Sequence, residues 1–162
     1  AKYDIIQNND IYEIRYYSDR LIVQVANKGD NNSFRKLFKY ISGENKNSEK
    51  IAMTIPVTQT KNNDQMFMQF YLPSKFNRET TPLPNNPELE ITTIPEGYFA
   101  VIKFSGRSSD KNFDKHNKIL KQKLLEDNIS IKGFAIRATY NSPFTLPPLR
   151  RNESMFSIDW KK

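Results

Sequence analysis

Apolar and polar residues alternate with period two along most of the chain, and two windows replace that alternation with a helical period. A short lead-in strand is predicted at residues 3–6, followed by residues 12–16 and 21–25 as a strand pair. Asn31, Asn32 and Ser33 then carry side-chain oxygens suited to a helix N-cap. Phe34, Leu37, Phe38 and Ile41 follow at i, i+3, i+4 and i+7, the stripe of an amphipathic helix that Gly43 ends. Residues 51–60 and 66–72 read as two more strands around the polar turn Lys61-Asn62-Asn63-Asp64.

A linker rich in proline comes next (Pro73, Pro82, Pro84, Pro87), too poor in backbone donors for a central strand. Residues 88–94 and 98–104 read as strands with Gly97 between them. Residues 110–127 form a second helix with Phe113, Leu120 and Leu124 inward, and residues 131–140 and 155–160 supply the last two strands. Both halves therefore run strand, strand, helix, strand, strand, a repeat of pattern and not of residues. The expected architecture is α+β: a distorted eight-stranded antiparallel β-barrel with two flanking helices, in a single domain spanning residues 1–162.

Nineteen aromatic residues that can form a core, eleven Phe and eight Tyr, offset an apolar content of only 37%. No apolar stretch approaches the length needed to span a bilayer. Cysteine is absent, which excludes disulfides, thiolate metal sites and a thiol nucleophile. The formal charge of +7, from 25 basic and 18 acidic residues, favours anionic partners, although lysines coating the surface explain it equally well. They are scattered and no recognition motif accompanies them, so nucleic acid is not expected. The first residue is Ala1, compatible with a trimmed start or a cleaved leader, so a cytoplasmic and an exported protein both stay open. Oligomeric state is likewise open.

Catalytic signatures are missing: there is no phosphate-binding glycine loop, no GxSxG and no HExxH. A lone imidazole, His116, excludes a multi-histidine metal centre, and an enzyme is not expected. Four strings stand out instead: Tyr12-Glu13-Ile14-Arg15-Tyr16-Tyr17, Leu37-Phe38-Lys39-Tyr40-Ile41-Ser42-Gly43-Glu44-Asn45, Lys50-Ile51-Ala52-Met53-Thr54-Ile55-Pro56-Val57, and Tyr140-Asn141-Ser142-Pro143 with Arg150-Arg151-Asn152-Glu153. In order and spacing the chain resembles the SOUL haem-binding family over roughly residues 3–160.

The resemblance implies a pseudo-two-fold barrel with two helices, and reversible binding of haem or a related tetrapyrrole in a shallow apolar groove on the first helix. Carried onto this chain, the groove is lined by Phe34, Leu37, Phe38 and Ile41, with Met53 on the following strand. Lys39 matches a basic position suited to a propionate. The same stripe also serves as ordinary helix core, and one face cannot fully do both. Where some relatives carry a proposed histidine ligand to iron, this chain has Tyr16. Tyr16 and His116 are thus the candidate axial ligands, and binding without either is the third option.

Arg150, Arg151, Asn152 and Glu153 are read as structural, with Arg15, Glu44 or Lys50 as partners. Related barrels in drug-responsive regulators place an acidic residue in a ligand cavity, which keeps Glu153 open as a ligand contact. The alternatives to haem are a small-amphipath-binding barrel and a protein-interaction module. A binding helix after Tyr140 is disfavoured by Pro143, Pro147 and Pro148.

Overall fold

In the computed structural model, residues 2–29, 32–141 and 145–161 are described. They form an α+β protein of ten antiparallel strands and two helices, gathered into two compact units. No helix among these residues is long and apolar enough to cross a membrane.

The first unit, residues 19–95, contains β3 (Arg20–Ala26), α1 (Asn32–Ile41), β4 (Val57–Asn62), β5 (Gln65–Tyr71) and β6 (Glu90–Ile94). Its sheet runs β4-β5-β3-β6. Val23, Val25, Phe70, Leu72 and Leu89 are buried against Leu37, Tyr40 and Ile41 of α1. Between β4 and β5, Asn63 and Asp64 both have positive φ (49° and 65°), the two-residue turn that matches strand twist. The first helix ends where Gly43 (φ 119°) is able to turn left-handed. There the Glu44 amide reaches back to the Lys39 carbonyl and the Gly43 amide to that of Tyr40. Asn45, fully enclosed, then donates to the Tyr40 and Glu49 carbonyls and accepts from the Asn47 and Glu49 amides.

The second unit, residues 2–18 with 96–161, contains β1 (Asp4–Asn8), β2 (Glu13–Tyr17), β7 (Gly97–Phe104), α2 (Asp110–Glu126), β8 (Ser130–Ile131), β9 (Ile136–Thr139) and β10 (Asn152–Asp159). Its sheet runs β1-β2-β7-β10-β9, with β8 also on β10. Ser109 caps α2 by accepting the Asn112 amide, and Phe113, Leu120 and Leu124 turn inward as expected. Tyr12, Ile14, Ala100, Ile102, Phe156 and Ile158 form the other side of that core.

The repeat is visible in the two sheet orders, because β4-β5-β3-β6 and β9-β10-β7-β2 correspond strand for strand. It carries one correction. The segments at 12–16 and 21–25 do not pair with each other: β2 pairs with β7, while β3 pairs with β5 and β6. Each half has given its first strand to the other half's sheet. Alternation tells which side chains share a face, not which strand lies alongside.

Three boundaries also move. Residues 51–56 are not strand, since Pro56 brings no donor and the Thr54 hydroxyl takes the Tyr71 carbonyl at 2.5 Å. The strand predicted at 131–140 divides into β8 and β9 around Gly133. The last strand opens at Asn152, three residues early, because the charged string itself joins the ladder to β7. Of the predicted N-cap residues, Asn31 lies outside the described residues and Ser33 is inside the helix, its hydroxyl donating to Asn27 and the Ala26 carbonyl.

Candidate functional site

The predicted site residues of the first unit separate into two sets. Leu37 is 0% exposed and Ile41 5%, both spent on the core between α1 and the sheet. Of the two roles read for the stripe, these two residues take that of helix core. Phe34 and Phe38, by contrast, are 44% and 49% exposed. Their rings lie nearly parallel, 14° between planes and 6.1 Å between centroids, and Phe34 also rests edge-on against Phe70 at 5.2 Å. Met53 and Ile55 of the same unit are exposed apolar side chains as well.

Tyr40 turns the helix this way. Its ring is buried and its hydroxyl donates to the Pro82 carbonyl at 2.6 Å, which satisfies a phenol in the core. Burial pushes that phenol up to about 12, with Glu49 adding to the shift. The buried arc of α1 thus runs through Ser33, Leu37, Tyr40 and Ile41, leaving both phenylalanines outward. Lys39 and Arg35, one turn apart, are exposed beside them, and Lys36 pairs with Glu88. What results is an exposed apolar ledge with basic residues beside it.

The two candidate iron ligands belong to the second unit. The Tyr16 hydroxyl donates to Glu96, and its ring packs on Tyr98 at 5.3 Å. The His116 ring stacks on Phe104 at 3.8 Å and 4°, and Nδ1 meets the Asn112 carbonyl at 2.7 Å. That contact requires the proton on Nδ1, which leaves Nε2 the only nitrogen able to ligate. Among the described residues no three His, Asp or Glu side chains cluster as a metal site.

A buried charged group built around Arg15 and Glu153 occupies the face of the second sheet turned away from α2. Arg15 and Glu153 are both 0% exposed and meet in a two-pronged ion pair at 2.8 and 2.7 Å. Arg15 Nε donates to Glu13 at 2.9 Å and Nη1 to the Tyr17 hydroxyl at 3.0 Å. The Tyr3 ring lies 4.0 Å from the guanidinium carbon. Arg151 holds Glu153 from the other side at 2.8 Å, donates to the Tyr3 hydroxyl at 3.3 Å, and rests on the Tyr140 ring at 4.1 Å.

Burial alone pushes the Glu153 carboxyl up, but hydrogen bonds and charge from Arg15, with Tyr140 and Arg151, carry it below the ordinary carboxylate value. Burial and then the Glu153 charge hold the Tyr140 phenol well above its usual value. Of the partners foreseen for Glu153, Arg15 is the one found. Asn152, also buried, accepts from Ser108 at 2.6 Å and donates to the Gly106 carbonyl at 2.9 Å, while Arg150 reaches Ser108 at 3.2 Å. Tyr3, Glu13 and Tyr17 went unnamed as site residues; the charges at 13 and 15 on one face of a strand were the available signal.

A family profile described as SOUL heme-binding protein matches residues 1–157. No curated protein matches the chain in sequence. Among solved structures, the EcmrR C-terminal domain is similar at TM-score 0.69 and 10% identity, covering 97% of this chain and 98% of that one. A hydrolase from Listeria innocua follows at 0.68 and 8%, covering 95% and 94%. SAV2435 bound to tetraphenylphosphonium is similar at 0.54 and 8%, covering 91% and 93%. At such identities these three likenesses carry the fold alone.

Proposed function

The chain belongs to the SOUL haem-binding family, and from that premise we propose that it binds haem or a related tetrapyrrole reversibly on the exposed face of α1. The carrying observation is the ledge of Phe34 and Phe38. Two neighbouring rings, each about half exposed, offer a macrocycle apolar contact that needs no rearrangement of the core. Met53 is a further exposed apolar candidate of the same unit, and Lys39 with Arg35 supplies cations for propionates. Affinity comes chiefly from apolar area removed from water, about 25 cal/mol per Å² before the costs of orientation. Titration with haemin, followed by absorbance, tests the reading directly.

Two outcomes separate the parts of this site. Lys39→Ala should weaken a dicarboxylic porphyrin by up to about fivefold and leave its dimethyl ester unaffected, as fits an exposed rim pair of about 0.2–1 kcal/mol. Equal effects on acid and ester would remove Lys39 from the rim. His116→Ala should lower the melting temperature, because it uncovers Phe104, yet leave haem affinity and spectrum nearly intact. A low-spin histidine spectrum that vanishes in this variant would instead make Nε2 of His116 the ligand.

A second reading, a barrel for small amphipathic cations, is suggested by the neighbour bound to tetraphenylphosphonium. Tyrosines around a buried carboxylate have the chemistry for such a guest. In this chain, however, that carboxylate is already engaged by Arg15 and Arg151.

A further inference from the structure

The surroundings of Arg15 are those of a receptor for a guanidinium ion. Glu153 faces the two-pronged edge, Glu13 accepts from Nε, the Tyr17 hydroxyl accepts from Nη1, and the Tyr3 ring covers one face. These groups come from three separate stretches of chain: the segment leading into β1, strand β2 and strand β10. A fork of fixed donors, a planar cation and an aromatic lid are what distinguish a guanidinium site from a site for a point charge.

The receptor is also held together by contacts that do not involve Arg15. Arg151 bonds Glu153 through Nε at 3.1 Å and Nη2 at 2.8 Å, and ties the Tyr3 hydroxyl. Lys103 meets Glu13 at 3.2 Å. The Tyr17 ring is fixed edge-on to Phe99 at 5.5 Å and packs on Tyr3 at 5.2 Å. Deleting the Arg15 side chain therefore vacates the seat and leaves its walls supported.

We propose that the second unit contains an organic-cation site, selective for monoalkylguanidinium ions, that Arg15 occupies as a tethered guest and keeps closed. The sequence position of Arg15 thereby excludes free cations from this interior. This assignment stands apart from the tetrapyrrole reading, which uses the first unit. Loss of either leaves the other in place.

The test is Arg15→Ala with ethylguanidinium, which replaces the atoms the substitution removes. Melting temperatures of wild type and variant are compared in millimolar ethylguanidinium, with ethylammonium at the same concentration as the cation lacking a fork. Arg15→Ala should melt well below wild type and be raised by ethylguanidinium, by about 3–6 °C at ten times its Kd and further with the logarithm of concentration. Wild type should not respond, and ethylammonium should do far less. Equal responses of wild type and variant, or none in the variant, overturn the proposal. If Arg15→Ala does not fold by itself, the reading moves to refolding yield by far-ultraviolet circular dichroism. Recovery with ethylguanidinium and not with ethylammonium supports the site, and recovery with neither overturns it.

Discussion

Glu153→Ala is expected to lower the free energy of unfolding by up to about 3–5 kcal/mol, the cost of taking the two-pronged partner from a buried arginine that keeps only Glu13 as an ion-pair partner. For a chain of this length that is a fall in melting temperature of roughly 6–20 °C. The penalty falls on Arg15, fully enclosed, and much less on Arg151, whose partly exposed side chain turns to water. Arg15→Met with Glu153→Leu should therefore recover much of the loss, since both charges go together. A double variant no more stable than Glu153→Ala would show that packing, not charge, sets the cost.

Acid sensitivity follows with a definite sign. The folded Glu153 carboxyl lies below its unfolded value of about 4.3, so its contribution is complete above that pH and is lost as pH falls through the folded value. Urea titrations at pH 7 and pH 3 should thus show a smaller difference for Glu153→Ala than for wild type.

Phe38→Asp should cost haem affinity tenfold or more with little change in stability. A buried phenylalanine ring is worth about 1.5–3 kcal/mol, and the new carboxylate also repels the propionates. Phe38 is the cleaner probe of the two rings because Phe34 also packs on Phe70. The matching control is Leu37→Ala, which should destabilise by about 2–5 kcal/mol and leave the affinity of the folded fraction unchanged. Haemin titration beside a urea melt reads both. If Phe38→Asp binds haem like wild type, the ledge is not the site.

The stripe at 34, 37, 38 and 41 illustrates what a sequence can and cannot resolve. Its period placed the helix within a residue or two, but the core arc is rotated toward Tyr40. Counting apolar residues cannot see that rotation, because a tyrosine enters a core only if its hydroxyl finds a partner, and the Pro82 carbonyl is 42 residues away. The same limit left the Arg15 group legible only in part. Arg15 stood among the expected partners of Glu153, but choosing it over Glu44 or Lys50, and adding Glu13, Tyr17 and Tyr3, needs the strands in place. That requires the pairings of β2 with β7 and of β7 with β10. By contrast, the inward face of α2 was legible: Phe113, Leu120 and Leu124 act locally, through a period of 3.6, although the cap at Ser109 was not expected.

The exchange of first strands has a consequence during synthesis. Strand β2 ends at Tyr17, and its neighbour β7 does not begin until Gly97. At about 5–20 residues per second, a growing chain carries Tyr12, Ile14 and Tyr17 without their sheet for roughly 4–16 s. Their remaining wall, β10, is made last of all the strands. Neither sequential half has the strands to complete a unit alone, so shortening the chain from its C-terminus removes the foundation of its N-terminus.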